Sequence, residues 1–283
     1  MLYDKAILAI FLTAATTLVQ GAPEGPTKTL AARDYASINP TGLSLRSLDG
    51  DGSSFGKRLT NAQRLARGLP LRKPRRVQAR QATPSSCPTI SHTGTIRVTD
   101  IDAGGVLGYV SSTPNIFGEY ELATTASGAL RVSFGTSSCL SSAVYSQFDV
   151  TTENGISNFP LLGFMTGFAN TNYGIGSGSS NYAYLGGVTQ TPEGSPAIQQ
   201  ANSFSAASGI PDGVESAVWT WEPSSNALTV QWINTDGSSP TTYLAYLAGD
   251  AAIILTGDLG TFRNIFGSAT RIAFTFVPDS IVY

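Results

Sequence analysis

A period of two, repeated in short runs, limits this chain more than any other feature. In ALRVSFG, Leu130, Val132 and Phe134 alternate with Arg131 and Ser133. In ALTVQW, Leu228, Val230 and Trp232 alternate with Thr229 and Gln231, and in RIAFTFV, Ile272, Phe274 and Phe276 alternate with Arg271, Ala273 and Thr275. TIRVTD does the same with Ile96 and Val98. Successive side chains of a strand point to opposite faces, so each run buries one face and wets the other. The runs are bounded by turn residues such as Glu222-Pro223-Ser224-Ser225-Asn226 and Asn234-Thr235-Asp236-Gly237-Ser238, in which Pro fixes φ and Gly permits positive φ. Segments 217–222, 228–233, 241–247 and 251–256 read as a meander. By parity, Trp219, Trp221 and Trp232 belong to the core. No long helical pattern follows residue 85, and the best helix candidate is 60–67. The expected fold is all-β, an antiparallel β-sandwich of lectin-like or jelly-roll type, with residues 85–283 as one domain.

Charge divides the chain near residue 80. Thirteen Lys and Arg stand against five acids in residues 1–80, and four arginines against fourteen acids in residues 81–283. The apolar run AILAIFLTAATTLV at 6–19 follows Lys5 and precedes Val19-Gln20-Gly21. It reads as a secretory signal peptide over 1–21, shorter than the ~20 apolar residues of a membrane span. A basic arm on an exported chain makes little sense for nucleic acid and good sense as a segment to be cut. Lys57-Arg58, Arg72-Lys73 and Arg75-Arg76 are paired basic sites that suit the acidic pockets of a kexin-type processing protease, and Arg80 is a further candidate. Residues 22–80 are therefore expected to form a basic, mostly disordered pro-region. The product is expected outside the cell or on its wall, with no membrane attachment after signal cleavage.

RLTNAQRLARGLPLRKPRRVQARQ resembles the pro-region ahead of many secreted proteins of basidiomycete fungi, which carry a similar LTNA…R…GLP…PRR run. Downstream, GYVSSTPNIFGEY, NYAYLGGVTQTP, ESAVWTWEP and QWINTDGS are similar to the same group. The resemblance covers most of 57–283. It implies a fungal source and an exported protein with a β-rich domain; the family is uncharacterised, so it implies no activity and no site residues.

Two cysteines, Cys87 and Cys139, remain for an oxidising compartment and are expected to pair. Closing that loop removes roughly 4 kcal/mol of unfolded-state entropy in the chain-entropy model. No N-x-S/T acceptor occurs.

Catalytic signatures are sparse. His92 is the one histidine, which leaves little room for a Ser-His-Asp or Cys-His system and none for a multi-histidine metal site; it is expected at the surface. Asp100-Ile101-Asp102-Ala103-Gly104-Gly105 begins like a calcium loop, but position twelve is Ser111 rather than Glu. It reads as a solvated turn, and neither a metal nor a cofactor is expected. Glu119 and Glu121 share a strand face and are the weak candidates for a glycosidase carboxylate pair; Glu153, Glu215, Asp236 and Asp258 are other acids that could complete one. The stretch NTNYGIGSGSSNYAY offers amides at Asn170, Asn172 and Asn181 and aromatic faces at Tyr173 and Tyr182. Amides meet sugar hydroxyls and rings meet sugar C–H faces, so the leading expectation is a non-enzymatic protein that binds glycan or wall polymer through this loop. A secreted glycoside hydrolase and a wall protein without specific ligand are the alternatives.

Overall fold

The computed structural model describes residues 37–48, 88–138 and 144–279. The signal peptide, helix candidate 60–67, the basic sites Lys57, Arg58, Arg75, Arg76 and Arg80, and both cysteines lie outside these residues.

The alternating runs form strands over most of their length, although Gln231 and Trp232 lie beyond the end of theirs. β1 (Thr89–Asp100) buries Gly94, Ile96 and Val98 between half-exposed neighbours. β4 (Arg131–Ser137) buries Val132, Phe134 and Thr136, and β15 (Thr270–Pro278) buries Ile272, Phe274 and Phe276. The rest of the main sheet comprises β6 (Val150–Thr152), β7 (Leu161–Thr166), β8 (Tyr182–Val188), β13 (Tyr243–Leu247) and β14 (Ala252–Thr256). The hydrogen-bonded order is β1–β4–β6–β7–β8–β14–β13–β15, all antiparallel.

β15 then pairs back onto β1, with Val98 opposite Phe274 and Ile96 opposite Phe276. The sheet is thus a closed barrel and not a sandwich of two separate sheets. Alternation reports which side chains face inward; it does not report which strand pairs with which. Here the first and last strands are partners, and closure removes the edges that an open sheet must protect. Gly94 permits the closure: a Cβ there would lie 2.2 Å from the carbonyl oxygen of Val277.

Shorter strands extend the ring. β2 (Val106–Pro114) and β3 (Tyr120–Ala123) continue from β1, while β12 (Ala227–Val230), β11 (Trp219–Glu222) and β5 (Tyr145–Phe148) continue from β15. The expected meander is therefore two hairpins, β11–β12 and β13–β14, with β15 pairing to both β12 and β13. Among the described residues, two short α-helices interrupt the strands. Asn202 caps α1 (Ser203–Ser208), and Asp258 caps α2 (Leu259–Phe266).

Two buried apolar clusters fill the structure. One gathers Ile96, Leu130, Phe134, Phe164, Trp219, Trp221, Trp232 and Phe274, which places all three tryptophans in the core as parity required. The Trp219 indole N–H donates to the Leu162 carbonyl at 2.7 Å. The other gathers Met165, Tyr182, Tyr184, Phe204, Ile254 and Phe262 around Ile38. Ile38 comes from the expected pro-region and is completely buried, with Asn39 and Pro40 buried beside it. Further along, the Arg46 amide donates to the Ala207 carbonyl at 2.9 Å, and Leu48 packs on the first cluster. Residues 37–48 thus form a strap seated on the barrel.

Candidate functional site

The loop between β7 and β8 brings its asparagines together, but turns them inward. The Asn170 side chain donates to the Tyr182 carbonyl at 2.7 Å and accepts from the Tyr182 amide at 3.0 Å, as a neighbouring strand would. Asn181 is buried; its Nδ2 donates to the Gly174 carbonyl and to Asn172 Oδ1, and its Oδ1 accepts from Thr171 N–H. Asn172 is exposed, and its Oδ1 also accepts from Gly174 N–H at 2.8 Å. Tyr182 is fully buried and Tyr173 half-buried. The amides hold the loop in shape, and the Tyr182 ring is closed to any ligand approaching from outside.

Most of the candidate acids have structural partners. Glu153 and Asp279 flank the Arg131 guanidinium. Asp258 accepts from Thr261 N–H and Gly178 N–H, backbone bonds that hold its carboxyl below the usual range. Asp236 accepts from the Ser238 hydroxyl and amide within a turn, which lowers its carboxyl too. Asp100 Oδ1 accepts from the amides of Asp102 and Ala103, so the calcium-like stretch is a β-hairpin turn. His92, expected at the surface, is partly covered there. It is half-buried between Phe134 and Trp221, with ring centroids at 5.1 and 4.6 Å, and Nε2 lies 2.8 Å from the Thr136 hydroxyl. Burial lowers its basicity. Among the described residues no three His, Cys, Asp or Glu side chains gather as a metal set, and no helix is long and apolar enough to cross a membrane.

Among the described residues, two glutamates are buried outright. Glu215, on β10 (Gly213–Glu215), accepts from Ile233 N–H at 3.1 Å, and burial pushes its carboxyl up to about 9 despite backbone bonds from Ile233 and Ala197. Glu119 stands just before β3. Burial pushes it up to about 8; hydrogen bonds from Asn115 and Asn39 pull the other way, and the negative charge of Asp250 adds to the rise. Glu119 Oε2 accepts from Asn115 Nδ2 at 2.7 Å and from Asn39 Nδ2 at 3.2 Å, while Glu119 Oε1 is buried with no hydrogen-bond partner. Asn115 is fixed by its own turn, its Oδ1 accepting from the amides of Phe117 and Glu119. Asp250 is also raised by burial, and a hydrogen bond from Ser37 opposes that shift.

The strap completes this pocket. The Ile38 carbonyl accepts from both the Tyr182 and the Tyr184 hydroxyls. The amides of Phe168 and Ala169 donate to Tyr184 and Tyr182 oxygens respectively, which leaves each phenolic proton directed elsewhere. Sequence parity paired Glu119 with Glu121. Glu121 is instead half-buried and close enough for its charge to raise Tyr246, after burial, while Glu119 has Asp250 for a carboxyl neighbour. Asp250 and the strap were missed, and Tyr184, expected with Tyr173 and Tyr182 to offer a face to a ligand, is instead buried against the strap; only the Asn115-to-Glu119 turn carried a local signal, through Gly118 at φ 79°.

An open cleft of about 710 Å³ lies elsewhere. Ser177 of the β7–β8 loop reaches it, with Asp102, Tyr243, Asp258, Arg263 and Arg271. The Arg271 guanidinium sits over the Tyr243 ring, 5.3 Å from its centroid. Arg263 donates to the Ala269 carbonyl and lies 3.8 Å from Asp102. Cys87 and Cys139 fall outside the described residues, but their sequence neighbours Pro88 and Ser138 are joined by a 2.9 Å backbone hydrogen bond. Comparison with protein-family models, with curated proteins and with solved structures finds no match for this chain.

Proposed function

We propose that this is an exported, non-enzymatic binding protein for carbohydrate, matured by a kexin-type protease in the 57–80 region, with the cleft beside Tyr243 as its ligand site. The single observation that carries the reading is the composition of that cleft. One aromatic ring, two guanidinium groups, two carboxylates and a loop serine converge on an open space of about 710 Å³. Such a set offers donors and acceptors to hydroxyls, beside a tyrosine ring already stacked with Arg271. This shifts the expected site from Asn170, Asn172, Tyr173, Asn181 and Tyr182 to the outer end of the same loop. A panel of immobilised β-glucan, chitin and mannan fragments tests it with the full chain. Tyr243→Ala and Arg271→Ala are each expected to weaken binding about tenfold, a loss of about 1.4 kcal/mol. Binding that is absent in the wild type, or unchanged in both variants, rejects it.

Hydrolysis by paired carboxylates is the second reading, favoured by the neighbouring Glu119 and Asp250 carboxyls and requiring that residues 37–39 first uncover Glu119, since acid–base chemistry uses a carboxyl held neutral beside another. Activity on the same polymers that survives Glu119→Gln and Asp250→Asn would exclude that pair.

A further inference from the structure

The Glu119 pocket is built by residues from 115 to 250 and closed by residues 37–39. Its donors are set without the strap. The Phe168 and Ala169 amides fix the two tyrosine hydroxyls, and the Asn115 turn fixes the amide that meets Glu119. Into this arrangement the strap presents a carbonyl to Tyr182 and Tyr184, a carboxamide N–H to Glu119, a hydroxyl to Asp250, and one aliphatic side chain to the apolar cluster. Each contact is of a kind by which a folded domain recognises a peptide: polar partners for its carbonyl and side chains, and an apolar pocket for one anchor. Pro40 follows Asn39 and disfavours helical backbone there, so the segment is shaped for the pocket before it docks.

We propose that this pocket is a peptide-binding site, occupied in this chain by its own Ser37-Ile38-Asn39. The ligand class it takes is a short peptide, bent at an aliphatic residue that lies between a hydroxyl and a carboxamide side chain. Two observations separate a bound ligand from a permanent part of the core. First, Glu119 Oε1 is buried without a hydrogen-bond partner, so the strap leaves one acceptor of the pocket unmet and a peptide that supplies a donor there gains a contact the strap does not make. Second, the paired basic residues lie between the strap and β1 in sequence. One cut there turns the strap into a separate chain, whose residence then depends on affinity alone. The site stands apart from the Tyr243 cleft and does not depend on carbohydrate binding.

The probe is a fluorescent peptide of residues 36–48, ASINPTGLSLRSL, titrated against the full chain carrying Ile38→Asp and against the wild type. The buried Asp expels the strap, so saturable binding is expected in the variant and at least tenfold weaker binding in the uncut wild type. A peptide with the same Ile-to-Asp change is expected to bind neither. A second arm needs no core substitution: the wild-type chain cut by a dibasic-specific protease should exchange its strap for the labelled peptide. No uptake by the cut chain, or equal uptake by the uncut wild type, overturns the proposal. So does a folded Ile38→Asp chain that fails to bind.

Discussion

Glu119 and Glu215 are both buried carboxyls pushed far above the ordinary range, and they differ in what closes over them. Glu215 is met by the backbone amide of Ile233, within the barrel and its near loops. Glu119 is met by Asn115 from its own turn and by Asn39 from a strap eighty residues earlier. Burial is alike in the two places, but only one cover can leave without unfolding the barrel. Equal burial therefore gives one site that is structural and one that is latent.

The largest expected effect is on pH dependence. Both folded-state values exceed the ordinary 4.5, so the folded state holds these protons more tightly than the unfolded one. Stability is then greatest below about pH 4.5 and falls as pH rises, up to about 8 for Glu119 and about 9 for Glu215. The depressed acids Asp258 and Asp279 act the other way, but only as pH falls below their unfolded range. Thermal unfolding is expected to give a lower Tm at pH 8 than at pH 5, and the double variant Glu119→Gln, Glu215→Gln should flatten the profile. A Tm that rises with pH over this range would reject the burial of both groups.

Strap substitutions sharpen the contrast. Ile38→Ala should cost about 2–4 kcal/mol in denaturant unfolding of the uncut chain, as for a buried aliphatic side chain, whereas Leu43→Ala, on an exposed position of the same strap, should be nearly silent. If the two cost the same, the strap is not anchored at Ile38. Tyr184→Phe removes one donor to the Ile38 carbonyl and should cost about 1 kcal/mol. Its effect should appear in proteolysis of residues 37–48 and leave the titration of Glu215 untouched. The smallest effect is expected at Glu121→Gln, within about 0.5 kcal/mol, because that side chain closes neither pocket. A large loss there would restore Glu121 as a partner of Glu119.

Much of the barrel was legible in the sequence, because alternation and burial are the same physics. Ile96, Val98, Leu130, Val132, Phe134, Ile272, Phe274 and Phe276 all face inward as their parity requires. Pairing was not legible. That β15 closes onto β1 depends on contacts some 170 residues apart, which no local pattern encodes. The same limit explains the loop. Asn170, Asn172 and Asn181 look like a binding set in sequence, yet side-chain amides can also mimic backbone, and here they stitch their own turn. The Glu119 pocket was half legible: its turn had a signal in Asn115 and Gly118, but its cover came from a stretch whose composition pointed only to charge and removal.

The most direct test is a carbon-13 NMR titration of the Glu119 carboxyl in the uncut full chain, in the wild type and with Ile38→Asp. The wild type should titrate near 8, and the variant should fall toward the ordinary glutamate value as water reaches the pocket. An aspartate that stayed in place would push Glu119 higher, so a fall in a variant that keeps the folded barrel's spectrum means that the strap has left. An ordinary value in the wild type, or no fall in the variant, would contradict a carboxyl sealed by residues 37–39.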